Sequence, residues 1–246
     1  MPAVARPNRA PPEQQVLQLQ MQGGFMLRRN GEIKRLPLSA QRVLAFLALH
    51  ERPLLRVYVA GSLWPGSSDV RAAASLRTSV WRLHEPGGDG PVVASGQHLS
   101  LAPDVGVDVR ETRAAARRVL SGENGFNSAD LEQLVYAGDL LPDWYEDWIL
   151  IEREQLREQR VRALERLCDL CTRESRFAEA GQAVVAAVAC EPLRETSHRA
   201  LIRLQLAEGN SGEALRHYRD YCELLGRKLG LAPSPQMEKL VAGIKP

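Results

Sequence analysis

The stretch "DVRAAASLRTSVWRLHEP", residues 69–86, sets three Arg, two Ser, a Thr and a Trp among Ala, Leu and Val at helical spacing. At about 100° per residue, Ala73, Leu76, Val80 and Leu83 fall on one apolar stripe, the expected core face. The opposite side carries Arg71, Ala74, Ser75, Thr78, Trp81 and Arg82, with Arg77 on the flank and no acidic residue among them. A solvated helix face normally mixes Glu or Asp among its arginines. Small side chains let such a helix approach another surface closely. Guanidinium groups can then reach phosphates or guanine edges, and hydroxyls can add hydrogen bonds, as a duplex major groove requires. Periodicity alone also admits a helix that is merely exposed or packed on a neighbour.

A second pair with chemical potential is Cys168-x-x-Cys171. As thiolates, two such side chains could hold zinc or shuttle electrons. They lie inside "LERLCDLCTRE", a continuous helical pattern without a turn residue, and no second pair stands at metal-ligand spacing. Core packing is the expectation, and no metal or other cofactor is expected. The sequence contains no P-loop, no nucleotide-binding glycine fingerprint, no HExxH and no nucleophile elbow, so the reading is non-enzymatic.

The elements that must position the 69–86 helix are legible on both sides of it. Residues 16–38 alternate apolar and polar groups around "GG" and "NG", which predicts short antiparallel strands with a tight hairpin at "RRNGEI". Ser39 is placed to cap a first helix built on Val43, Leu44, Phe46, Leu47 and Leu49, closed by Pro53. A second helix fits "RVYVAGSLW", and "EPGGDG" stops the third. Two strands, "PVVASG" and "HLSLAP", then turn at Gly96. Strands, three helices and a hairpin make the layout of a winged helix-turn-helix, with the third helix clamped by the first two and the hairpin as wing.

From "VDVRETRAAARRVL" onward the pattern is helical, broken between Gly138 and Pro142. In the long charged helix that follows, "EREQLREQR" is expected to be a solvated face with i,i+4 ion pairs, and Ile149, Leu156, Leu164, Leu167 and Leu170 its apolar positions. Trp144, Tyr145 and Trp148 of "DWYEDW" are expected to anchor its start, with a protein-docking patch as the other reading. An offset of 34 residues superposes Leu167 on Leu201, Leu170 on Leu204, Glu179 on Glu213 and Ala180 on Ala214. That spacing is the signature of stacked helix-turn-helix repeats of the tetratricopeptide type. "KLGLAPSPQMEKLVAGI" adds a closing helix.

Charge divides with the elements. Residues 1–110 hold 13 Lys/Arg against 8 Asp/Glu, whereas residues 111–246 hold 19 against 22, so the two parts suit different partners. The N-terminal "MPAVARPNRAPPEQQ" has no apolar run and is expected to be a disordered tail over residues 1–15. With no bilayer-length apolar stretch and no signal peptide, a cytoplasmic protein that avoids membranes is expected.

"LPLSAQRVLAFLALHERPLLRVYVAGSLWPGSSDVRAAASLRTSVWRLHE" resembles the winged-helix domain of the Streptomyces antibiotic regulatory protein (SARP) family. "GDLLPDWYEDWILIEREQLREQRVRALERL", followed by the repeats and "LGLAPSPQ", is similar to that family's bacterial transcriptional activator domain. The likeness spans roughly residues 16–243. It implies a mainly α protein with small β: an N-terminal OmpR-like winged helix-turn-helix over 16–106 and an all-α, tetratricopeptide-like repeat domain over 107–246. It also implies a transcription activator that binds direct repeats near promoters as double-stranded DNA and contacts RNA polymerase holoenzyme including its sigma factor; the oligomeric state stays open, and two protomers on tandem repeats could meet only on DNA. Carried over by position, the recognition-helix role falls on Arg71, Ser75, Arg77, Thr78 and Arg82 and the wing role on Gln97 and His98. Arg56 falls on a candidate phosphate contact, and Trp81 is expected to stack on the other domain, with the DNA backbone as the other reading. Relatives often carry a basic residue where Ala73 stands, and an Arg-richer wing than "SGQHLS". The competing function is a helical-repeat adaptor that uses the winged helix for protein contacts.

Overall fold

The computed structural model describes residues 16–84, 90–122 and 126–244. The tail expected over residues 1–15, and most of the "EPGGDG" stop, lie outside them. The chain divides into two compact units. The first holds residues 16–20 and Phe25–Val107; the second holds Met21–Gly24 together with the chain from Asp108 onward.

In the first unit, β1 (Leu17–Gln20), β2 (Met26–Arg29) and β3 (Glu32–Lys34) form an antiparallel meander, and β7 (Val105–Val107) adds to β1 in parallel. The alternation of "LQLQ" buries Leu17 and Leu19 and exposes the glutamines between them. The β2–β3 turn places Asn30 and Gly31 at φ of 49° and 85°, as an Asn-Gly hairpin turn of the primed type requires. Helix α1 (Leu38–Leu49) starts one residue before Ser39, with Pro37 at its N-cap and no side-chain cap bond. Ser39 is therefore inside the helix rather than capping it, because Pro37 already fixes the extended entry. β4 (Leu54–Leu55), α2 (Arg56–Leu63) and α3 (Asp69–Trp81) follow, then the wing hairpin β5 (Val92–Ser95) and β6 (His98–Leu101). Gly96 turns the hairpin at φ 56°. β4 pairs with β6, a third strand that the short "LL" did not announce.

The second unit is helical: α4 (Asp108–Ser121), α5 (Ser128–Val135), α6 (Asp147–Arg173), α7 (Phe177–Cys190), α8 (Glu195–Ala207), α9 (Ser211–Leu229) and α10 (Pro235–Val241). The 34-residue offset survives as structure. α7 and α9 begin 34 positions apart, and Ala180 and Ala214 are each fully buried, where a larger side chain would hold the helices apart. The core around Ala180 takes in Cys168 and Cys171, both free thiols; burial pushes Cys168 up to about 11, so it is not a thiolate at neutral pH. Among the described residues no group of three or more His, Cys, Asp or Glu could hold a metal ion. No described helix is long and apolar enough to cross a membrane.

Four residues read as a simple "GG" turn have a larger part. Met21–Gly24 run alongside α4: the Asp108 carboxylate accepts from the Met21 amide at 2.9 Å and the Gln22 amide at 2.8 Å. Gly23 donates to the Asp139 carbonyl at 2.8 Å, and Leu141 donates to Met21 at 2.8 Å. Thr112 donates to Gln22 Oε1 at 2.9 Å and accepts from Gln133 at 2.8 Å. Burial raises the Asp108 pKa, and its backbone hydrogen bonds oppose that shift.

The face expected from "EREQLREQR" is only partly solvated. Arg157 pairs with Glu154, and Arg162 with Glu158 at 2.6 Å. Arg153 instead donates to the carbonyls of Leu140, Leu141 and Trp144, and Arg160 to those of Leu134 and Val135. The carbonyls that α5 and the following turn leave unpaired needed donors, and the two arginines, seven apart on one face of α6, supply them. Trp144 and Trp148 are half-buried and meet edge-to-face at 6.3 Å, but Tyr145 is 78% exposed and anchors nothing.

Buried His198 and half-buried His217 form a pair between α8 and α9. His198 Nε2 faces the Pro192 carbonyl at 2.8 Å, which can only accept, so that nitrogen carries the proton. His198 Nδ1 then accepts from His217 Nε2 at 2.9 Å, while Tyr221 packs on the His198 ring. Burial lowers both pKa values, against the opposing pull of Glu195 on His198 and of Asp220 on His217. Below its ordinary pKa near 6.5, each ring gains its proton more readily in the unfolded chain. Stability of this unit is therefore expected to be full above about pH 6.5 and to fall as the pH is lowered through it. Urea unfolding followed from pH 7.5 to 5 checks this, and His217→Gln is expected to flatten the dependence.

Candidate nucleic-acid interface

The surface containing the predicted residues is built by α2, α3 and the wing. The Arg56 amide donates to the Gln97 carbonyl at 2.8 Å, and its Nε donates to the Gly96 carbonyl at 3.2 Å. The first residue of α2 is thereby tied to the wing turn, which β4–β6 pairing holds from the other side. Arg56, Arg77 and Gln97 line one open hollow of about 440 Å³, with Asp69, Val70 and Ala73 of α3 and Val57 of α2.

The core face of α3 differs from the expected stripe at two places: Ala72 replaces Ala73, and Ser79 joins it. Ala72, Leu76, Ser79, Val80 and Leu83 are buried, and Ala73 is exposed at the hollow. With Ala at both 72 and 73, hydropathy cannot choose between them; the packing of the first two helices decides. Buried Ser79 was masked by its polar type.

Arg71, Ser75, Thr78 and Arg82 follow one another at i, i+4, i+7 and i+11, on the flank of α3 away from the hollow. Arg71, Thr78 and Arg82 are exposed, and Ser75 is half-buried. The Thr78 hydroxyl donates to the Ala74 carbonyl at 3.1 Å, so towards solvent it offers lone pairs rather than its proton. Between the two flanks runs a ridge of Val70, Ala74 and Trp81, with Trp81 75% exposed. His98 is exposed on β6 but does not line the hollow. The structure thus gathers Arg56, Arg77 and Gln97 into one place and sets Arg71, Thr78 and Arg82 along the other side of the same helix.

Asp69, Val70 and Val57 were not singled out from sequence. Val70 carried a signal: a β-branched apolar side chain in the first turn, off the core stripe. Asp69 opens α3, where the helix dipole favours a carboxylate.

The chain has counterparts among known proteins. Residues 107–245 match the bacterial transcriptional activator domain. The chain is 27% identical over 222 residues to the regulatory protein AfsR of Streptomyces coelicolor, covering 86% of this chain and 22% of that protein. It is also similar in fold to Mycobacterium tuberculosis EmbR, solved in complex with a low-affinity phosphopeptide. There the TM-score is 0.71 at 20% identity, over 93% of this chain and 65% of EmbR. The chain therefore spans less than a quarter of AfsR and about two thirds of EmbR. The EmbR likeness bears out a mainly helical fold with an N-terminal winged-helix-like part. Since the activator-domain match takes in more than half of its residues, the chain belongs to the bacterial transcriptional activator domain family.

Proposed function

We propose that the chain is a sequence-specific DNA-binding activator, without catalytic activity, that binds direct repeats near promoters in the cytoplasm. In this reading α3 enters the major groove, with Arg77 and Arg56 facing one strand and Arg71 and Arg82 the other. Gln97 and His98 lie along the backbone beside the wing. The helical unit contacts RNA polymerase holoenzyme, including its sigma factor, and two protomers meet on tandem repeats. The observation that carries the reading is the placing of arginines on both flanks of one exposed helix beside a wing.

The test is a salt titration of the full chain on a duplex that it has itself enriched from a randomised pool. Binding is expected to weaken with a log–log slope of about −3 or steeper, one phosphate for each of three or more arginines. Enrichment of no sequence, or a salt-independent affinity, contradicts the reading and favours an adaptor.

A further inference from the structure

The hollow between α2, α3 and the wing is bordered by charged side chains and by exposed methyl groups. Val70, the second residue of α3, is 81% exposed, and Ala73 beside it is exposed as well. Val57 stands at the same hollow from α2 and is 70% exposed. Val70 adds nothing to the core, and a β-branched residue is a mediocre helix former, so neither packing nor propensity accounts for it. Arg56 and Arg77 border these methyl groups, and Arg71 lies on the opposite flank, so the surface is complementary to a polyanion. Asp69 at the lip would repel a phosphate, which turns base edges rather than backbone towards this end of α3. On a duplex, the apolar element at the major-groove edge is the C5-methyl group of thymine.

We infer that Val70, with Ala73 beside it, reads thymine methyl groups in the operator, which makes Val70 a specificity-determining residue. The inference rests on the reading of α3 as the helix that enters the major groove. It deepens that reading by naming a base and the atom recognised. The arginines hold the helix on any duplex, whereas the Val70 and Ala73 methyl groups distinguish thymine from cytosine, which presents an amino group and no methyl at that edge.

The experiment starts from the duplex enriched from a randomised pool by the full chain. Each thymine in turn is replaced by deoxyuridine, which removes the C5-methyl group alone. At one or two positions, affinity is expected to fall by about four-fold or more, the effect of losing one buried methyl contact. Val70→Ala is expected to bind the parent duplex more weakly by a similar factor and to lose its sensitivity to deoxyuridine at those positions. Its circular dichroism and thermal unfolding should match the parent protein, because the side chain is exposed. Equal affinity of the parent protein for every deoxyuridine duplex overturns the inference while leaving DNA binding intact. Undiminished deoxyuridine sensitivity in Val70→Ala overturns the assignment to Val70. Failure to enrich any sequence contradicts the DNA-binding reading itself, a result that the methyl test cannot produce.

Discussion

Replacing Arg71, Arg77 and Arg82 together by Ala is expected to lower affinity for the enriched duplex by roughly three orders of magnitude or more. Each guanidinium is exposed on α3, and Ala, the best helix former, does not disturb the buried stripe of Ala72, Leu76, Val80 and Leu83. Far-ultraviolet circular dichroism and the unfolding midpoint should therefore be unchanged. The three side chains stand on two flanks, so the single variants separate their roles. An arginine on phosphate weakens binding to all sequences and flattens the salt slope by about 1, while one on a guanine edge relaxes the preference at one base pair. Arg56→Ala is a less clean probe, because Arg56 also holds the Gly96 carbonyl of the wing turn.

The largest expected loss of stability comes from Arg153, a residue that touches no part of the proposed interface. Its guanidinium donates to three carbonyls, those of Leu140, Leu141 and Trp144, in the turn leading into α6. Hydrogen bonds from a charged donor contribute about 1.5–3 kcal/mol each, and carbonyls left without a partner add a desolvation cost. Arg153→Ala is expected to destabilise the helical unit by about 3–5 kcal/mol in urea unfolding. Arg153→Lys should recover less than half of that, since one ammonium cannot reproduce a planar fork spread over three acceptors. A loss below 1 kcal/mol for Arg153→Ala would mean that water replaces the guanidinium at these carbonyls.

How much of this was legible in the sequence depended on whether the cause was local. The Asn30-Gly31 turn, the alternation in "LQLQ" and the Ala180/Ala214 correspondence all act through neighbouring residues or a fixed period, and all appear in the structure. On α3 the core stripe took Ala73 for Ala72, because the two are chemically alike and only tertiary packing tells them apart, and it left out Ser79, whose polar type hid its burial. Arg153 and Arg160 look like the other arginines of a charged helix; their acceptors lie 9 to 26 residues away in the chain. Met21–Gly24 carried only a glycine-turn signal, since the Asp108 carboxylate that binds its amides is 86 or 87 residues distant. In the candidate interface, residue types announced the arginines. Helical spacing set Arg77 apart from Arg71 and Arg82, but the hollow that Arg77 shares with Arg56 and Gln97 depends on the tie between Arg56 and the wing turn, 40 residues away in the chain.

Hydroxyl-radical footprinting of the full chain on fragments carrying its enriched sequence is the most direct test of the central claim, that α3 and the wing deliver this regulator to specific DNA. The expected result is discrete protection of two tandem segments whose centres lie about one helical turn apart, absent with the Arg71/Arg77/Arg82 variant at the same concentration. Uniform reactivity along the fragment, or an unchanged footprint with the triple variant, would contradict it.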